Sequence, residues 1–218
     1  MVNVKYFVRT MEGRPYDLPI ECEKIIDYEH KYVKSYIDAL YYINDYNAVL
    51  MEDDIILCKN FKEEIEKVIN QYPNNIINFF SSPSKYYTTH FTDVFVYNQC
   101  TYFPKGITKF LADKMMEMYV DEVKYPKQQR YGSLLNIVLY ENHIPHITYR
   151  PTLVQHIDAL STRDAKNLGR NTKYFKDYLD EIGITMEEAY TKENQDKLNT
   201  LLNRDRDIWY KDNDEEAE

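Results

Sequence analysis

Short apolar, strand-like segments alternate with helical patterns through the first half of the chain, and this alternation restricts the fold more than any other feature. Residues 2–8 are rich in strand-forming side chains, and residues 20–43 place apolar side chains on one helical face. Residues 48–51 form a short apolar segment that is typical of a buried parallel strand. This order predicts an α/β fold with a mainly parallel sheet flanked by helices.

The later part of the chain continues this pattern and then changes character. Further helices are expected over residues 61–69, 107–115 and 131–142, and further strands over residues 76–80, 94–97, 100–103 and 144–148. After Gly169 the pattern becomes one of polar amphipathic helices. We therefore expect one domain over residues 1–169 and a helical C-terminal extension over residues 170–218.

The charge balance argues against tight, nonspecific binding to nucleic acid. The 218 residues include 36 acidic and 27 basic side chains, for a net charge of -9, and contain no long run of Lys and Arg. Proteins that bind nucleic acids usually present a basic face. Only a local basic patch remains compatible with this composition.

The cysteines and the hydropathy pattern indicate an intracellular environment. Cys22, Cys58 and Cys100 are odd in number and have no Cys-x-x-Cys spacing, so a disulfide framework is not expected. No apolar stretch approaches about 18 residues, and no secretion signal is recognised at the start. We expect a cytoplasmic protein without a membrane span, and we leave open whether it forms a homodimer.

Three consecutive carboxylates, Glu52, Asp53 and Asp54, follow the apolar segment directly. Like charges repel, so their gathering at the end of a buried strand requires a counter-charge such as a divalent cation. In open α/β sheets, ligands bind beyond the carboxyl ends of the strands. Alone, such a triplet is more often a solvated turn or a helix cap. The apolar residues 55–57 after it indicate instead a buried strand interrupted by a site.

Two segments resemble motifs of the small GT-A-type glycosyltransferases found in bacteria and their phages. Residues 50–61 read LMEDDIILCKNF, which is similar to the acidic segment that corresponds to the family's metal site. Residues 150–156 read RPTLVQH, which is similar to a late family motif that ends in histidine. The two segments lie about 100 residues apart, in the order that the family uses, and the resemblance covers roughly residues 1–165.

The resemblance implies a GT-A-like, nucleotide-sugar-binding catalytic domain over residues 1–169. Asp54 would bind Mn²⁺ or Mg²⁺ directly and so take part in catalysis, and Glu52 or Asp53 would contact the donor ribose or assist the metal. His156 would complete the metal and diphosphate site, since imidazole is a suitable ligand for Mn²⁺ beside carboxylates. Taken alone, a histidine near a strand end is more often a structural residue with a polar partner.

Two arginines are further candidates for contacts with the donor. Arg9 stands at the end of the first strand, where it would contact the nucleotide base or a phosphate. Arg163 follows His156 by seven residues and would reach the diphosphate. An ordinary surface charge is the alternative for both arginines. By analogy with other enzymes of this fold, the expected donor is a UDP-sugar.

The expected acceptor is a hydroxyl of a glycan or of a hydroxymethylated DNA base, but the general base is missing from its usual place. The family commonly has an acidic pair at the start of the helix before its final strand, whereas residues 128–133 read QQRYGS. Asp93, Asp121 and Glu122 are substitutes, each of which also fits a surface charge. Either one of these supplies the base, or the reaction uses no enzymic base, so both inverting and retaining transfer stay open. The alternative is a non-catalytic, metal-dependent nucleotide-sugar-binding protein.

Overall fold

The computed structural model describes residues 1–14, 18–80, 91–92, 98–120, 130–157 and 172–214. Its strands are β1 (Val4–Met11), β2 (Glu23–Asp27), β3 (Asn47–Glu52), β4 (Ile55–Leu57), β5 (Ile76–Asn78), β6 (Phe91–Thr92), β7 (Cys100–Phe103), β8 (His146–Tyr149) and β9 (Val154–His156). Its helices are α1 (Tyr32–Tyr42), α2 (Phe61–Gln71), α3 (Thr108–Met118), α4 (Tyr131–Glu141), α5 (Lys176–Ile182) and α6 (Lys192–Asp214), with a short 3-10 turn at Glu188–Tyr190.

Seven of these strands form the central sheet, in the order β2-β1-β3-β7-β5-β8-β6. β1 runs parallel to β2 and β3, and β5 runs parallel to β8. β7 runs antiparallel to both of its neighbours, and β6 runs antiparallel to β8. All the strands of this sheet except β6 and β7 therefore share one direction. The expected α/β fold, with a mainly parallel, Rossmann-like sheet, is confirmed.

The apolar residues of β3 explain why the sheet is covered from two sides. Val49 and Met51 belong to one hydrophobic cluster, and Ala48 and Leu50 belong to the other. Because successive side chains of a strand point to opposite faces, a continuous apolar segment needs packing on both. Helices α1, α3 and α4 cover the face with Leu50, whereas α2, α5 and α6 cover the face with Met51.

A second, two-stranded sheet begins directly after the acidic triplet. β4 pairs antiparallel with β9, and Ile55 lies opposite His156. The pairing continues beyond the strands, since the backbone N–H of Ile157 donates to the carbonyl of Asp54 at 2.8 Å. The two segments that resemble glycosyltransferase motifs therefore meet in space.

The helix expected over residues 20–43 is wrong in its first half. Strand β2 occupies part of this range at the edge of the sheet, and the helix begins only at Tyr32. Ile25 and Ile26 are β-branched and pair with β1, which outweighs the helical spacing of the neighbouring apolar residues. The strand expected over residues 94–97 lies outside the described residues.

The C-terminal helices share a hydrophobic cluster with the sheet. Tyr178 of α5 and Leu198 and Leu202 of α6 are buried in the cluster that also contains Met51. The described chain after the expected boundary at residue 169 is mainly helical, although residue 169 itself lies outside the described residues. These helices therefore pack on the sheet.

The cysteines and the helices bear on two expectations from the sequence. All three cysteines are free, and Cys58 and Cys100 are buried. Burial raises the pKa of the Cys58 thiol to about 12, which makes this thiol unreactive. No helix in the described ranges has the length and apolar character needed to cross a membrane.

Replacing Leu198 with alanine is expected to lower the free energy of unfolding by about 2–5 kcal/mol, because the change leaves a cavity in the cluster under α6. Leu201→Ala is the matched control, since Leu201 lies on the same helix and is only partly buried. Its loss of stability should be clearly smaller. Urea denaturation of both variants measures the difference, and equal losses would contradict the packing of α6 on the sheet.

Candidate functional site

The three carboxylates lie where β3 leaves the sheet, next to the end of β1. Glu52 is the last residue of β3 and lies in register with Arg9 of β1. Asp53 and Asp54 form the connection between β3 and β4. We refer to residues 52–54 as the acidic turn. It stands at the carboxyl edge of the parallel strands, which is the usual ligand-binding edge of such a sheet.

Glu52 is held by a buried ion pair with Arg9. Arg9 Nη2 donates to Glu52 Oε2 at 2.7 Å, and Arg9 Nε donates to Glu52 Oε1 at 3.3 Å. The hydroxyl of Tyr131 also donates to Glu52 Oε1, at 3.2 Å. Arg9 is only 3% exposed, so protein encloses the pair.

Three tyrosine rings surround the Arg9 guanidinium. Its central carbon lies 4.4 Å from the ring centre of Tyr32, 5.2 Å from that of Tyr131 and 5.8 Å from that of Tyr36. Aromatic faces attract a cation, more strongly away from water. Burial raises the pKa of Glu52, and the positive charge of Arg9 opposes this rise. Arg9 and Glu52 thus contact each other, and their contacts with a donor stay predictions.

Asp53 has a different cationic partner, Arg14. Arg14 Nη1 donates to Asp53 Oδ1 at 2.7 Å, and the Thr10 hydroxyl donates to Asp53 Oδ2 at 2.7 Å. Burial raises the pKa of Asp53, while the Thr10 hydrogen bond and the Arg14 charge oppose this rise. Arg14 Nη2 is buried and has no hydrogen-bond partner in the part of the chain that the structure describes.

Arg14 is a residue of this site that the sequence analysis missed. It follows β1 closely, and β1 ends beside β3 in the sheet. Neighbouring parallel strands end at the same edge, so the loop after β1 must lie near the acidic turn. The position of Arg14 just after β1 is the one sequence feature that indicates its role. It indicates little unless β1 and β3 are known to be neighbours in the sheet.

Asp54 faces His156 across the β4–β9 pairing. His156 Nε2 lies 3.2 Å from Asp54 Oδ2, and the Asp54 side chain is 15% exposed. Burial acts to raise the pKa of Asp54, but the His156 hydrogen bond and the charges of His156 and Arg14 outweigh burial and lower it. Asp54 Oδ1 is buried and accepts no hydrogen bond from any described residue.

A divalent cation at the Asp54–His156 pair would need further ligands from outside the described protein. Among the described residues, no group of three or more Asp, Glu, His or Cys side chains is arranged to hold a metal ion. Mg²⁺, however, is commonly bound through one or two carboxylates, with further oxygens from phosphates and water. Asp54 Oδ1 is a buried acceptor to which no described residue donates, and the His156 imidazole contacts the other oxygen, Oδ2. A carboxylate oxygen and an imidazole are suitable ligands for Mn²⁺.

Several predicted residues are not covered by this description. Arg163 lies outside the described residues, as do Asp93, Asp121 and Glu122, the substitutes for a general base. Helix α4 begins at Tyr131 and has no acidic residue in its first turn. The structure therefore offers no carboxylate within that turn to act as a base.

The chain matches no protein-family model, and no curated protein matches it. What the chain can do chemically therefore has to follow from the side chains of the acidic turn and from the two segments that resemble glycosyltransferase motifs. Each carboxylate of the turn has its own cationic or imidazole partner. Among the three, only Asp54 keeps a buried oxygen that accepts no hydrogen bond from the described residues.

Arg9→Met is expected to lower the free energy of unfolding by about 3–5 kcal/mol, because Glu52 would stay buried without its cation. The double variant Arg9→Met/Glu52→Leu should recover part of this loss, since no charge then remains buried. Urea denaturation of Arg9→Met, Glu52→Leu and the double variant measures the coupling energy between the two side chains. Strictly additive losses of stability would contradict the ion pair. Lys34→Met, which breaks the exposed pair with Asp38, is the control and should cost less than about 1 kcal/mol.

Proposed function

We propose that this protein is a metal-dependent glycosyltransferase that moves a sugar from a nucleotide-sugar donor to an acceptor hydroxyl. The observation that carries the proposal is the contact between Asp54 and His156. These residues belong to the two segments that resemble glycosyltransferase motifs, which are about 100 residues apart in the sequence. A purely structural pair does not explain why Asp54 Oδ1 is buried without a donor from the described residues.

In this proposal, Asp54 and His156 would hold a divalent cation, for which His156 Nε2 gives up its hydrogen bond to Asp54 Oδ2 and binds as part of the neutral imidazole. When bound, that cation supplies the positive charge that neutralises the leaving diphosphate. Arg14 lies close enough to lower the pKa of Asp54, and its Nη2 is available to donate to a phosphate oxygen. Arg9 holds Glu52 in place through two hydrogen bonds, so the acidic turn has a fixed shape before a donor arrives.

The proposed donor is a UDP-sugar, by analogy with other enzymes of this fold class. The proposed acceptor is a hydroxyl of a glycan or of a hydroxymethylated DNA base. The net charge of -9 favours the glycan, because DNA is itself strongly anionic. Transfer assays with simple glycans beside hydroxymethylated DNA decide between the two acceptors.

A second candidate is a non-catalytic, metal-dependent nucleotide-sugar-binding protein. The first turn of α4 favours it, because no acidic residue stands where the family commonly has its general base. Incubation with a UDP-sugar, an acceptor and Mn²⁺ separates the two candidates. Release of UDP supports the enzyme, whereas tight binding without release supports the binding protein.

We expect a UDP-sugar to bind in the presence of Mn²⁺ and to lose most of its affinity when EDTA is added. The physical reason is that the diphosphate would otherwise lie against the ionised carboxylate of Asp54, to whose Oδ1 no described residue donates. Isothermal titration calorimetry in the two conditions measures the change. Equal affinities would show that binding does not need a metal.

Asp54→Asn is expected to lower the rate of sugar transfer about 10²–10³-fold, because it weakens the charge stabilisation of the leaving group. Its melting temperature should stay close to that of the wild type, since the side-chain oxygen of asparagine can still accept a hydrogen bond from His156. Asp113→Asn is the matched control, because Asp113 is an exposed carboxylate on α3 that pairs with Lys109. Full activity of Asp54→Asn with an unchanged melting curve would show that Asp54 is not a metal ligand.

A further inference from the structure

Two buried amide side chains precede β7 and have hydrogen-bonding atoms that the described protein does not use. Asn98 is 3% exposed and Gln99 is 4% exposed. Both polar atoms of the Asn98 side chain, and Oε1 of Gln99, have no hydrogen-bond partner among the described residues. The Asn98 amide alone offers two N–H donors and one acceptor oxygen. Buried polar groups normally have partners, so these atoms point to a ligand or to bound water.

The pairing of β3 with β7 places these amides beside the acidic turn. Met51 lies opposite Cys100, and the backbone N–H of Glu52 donates to the carbonyl of Gln99 at 2.9 Å. Continuing this register puts Gln99 opposite Glu52, with their Cα atoms about 5 Å apart. Asn98 is the next residue in the direction of the acidic turn. The unused amide groups therefore lie beside the acidic turn, next to Glu52.

We propose that Asn98 and Gln99 form the subsite that binds the sugar of the donor. A side-chain amide both donates and accepts hydrogen bonds, as the hydroxyls of a sugar do. A phosphate would need cations, and Arg9 is already paired with Glu52, while the Arg14 nitrogen that is left over is assigned to the diphosphate. An apolar ligand would leave both amides without partners among the described residues, which is unfavourable in a buried place.

This inference rests on the proposed function for the nucleotide part of the ligand, whereas the sugar part is argued from the side chains of the subsite. Two kinds of probe keep these parts separate. UDP and UDP-sugars, titrated with Mn²⁺ in a calorimeter, measure how much the sugar adds to donor affinity. Free glucose, galactose and N-acetylglucosamine, observed by saturation-transfer NMR, measure sugar binding without any nucleotide.

Asn98→Leu is the main variant, since leucine has a similar size and forms no hydrogen bonds. We expect its affinity for the preferred UDP-sugar to fall about tenfold, to the level of UDP, while its affinity for UDP is unchanged. Its melting temperature without ligand should rise, because a buried amide without partners is removed. Gln99→Met is tested in parallel, so a folding defect in one variant does not decide the outcome.

Asn136→Leu is the matched control, because the Asn136 amide already has a partner, the Gly132 carbonyl within α4. This variant should bind UDP-sugars and UDP as the wild type does. Loss of the monosaccharide signal in Asn98→Leu supports the subsite even if UDP does not bind, in which case only the proposed function fails. Unchanged UDP-sugar affinity in both subsite variants overturns the inference. It is equally overturned if the wild type shows no sugar-specific binding with either kind of probe, because the amides then enclose only water.

Discussion

The burial of three adjacent carboxylates at the end of β3 is the constraint on which the rest of this structure depends. Like charges in a poorly solvated place destabilise a fold unless each finds compensation. Here the compensation comes from three side chains, two at or just after the end of β1 and one in β9. The pairs are Glu52 with Arg9, Asp53 with Arg14, and Asp54 with His156.

This division explains why the three acids differ in chemistry although they are consecutive. Glu52 has both oxygens occupied and lies under tyrosine rings, so its pair contributes rigidity. Asp53 is also fully hydrogen-bonded, but its partner Arg14 has a nitrogen to spare among the described contacts. Asp54 alone combines a lowered pKa with an oxygen that accepts nothing from the described protein. Of the three acids, Asp54 is therefore the one that can bind a ligand without giving up a hydrogen bond to the described protein.

Sequence patterns predicted the fold class and the location of the acidic turn, because both depend on local spacing. An apolar segment between polar ones fixes a buried strand, and its carboxyl end fixes the edge at which the acids stand. The partners of the acids depend on strand order, which local spacing does not contain. The position of Arg9 at a strand end predicts a contact with the donor. That position does not reveal that the Arg9 guanidinium points toward Glu52. Likewise, nothing in the spacing of Tyr32 and Tyr131 indicates that they enclose a cation.

The pairing of β4 with β9 also has a consequence for the order in which the chain can fold. Asp54 and His156 come together by closing a loop of about 100 residues, whereas Glu52 and Arg9 close a much shorter one. Long loops cost more entropy to close, and synthesis delivers the N-terminal strands first. A growing chain can therefore form the Arg9–Glu52 pair early, but it balances the charge of Asp54 only after β9 has been made. Of the three pairs of the acidic turn, Asp54 with His156 is thus the last that can form, because it needs the last strand of the described part of the chain.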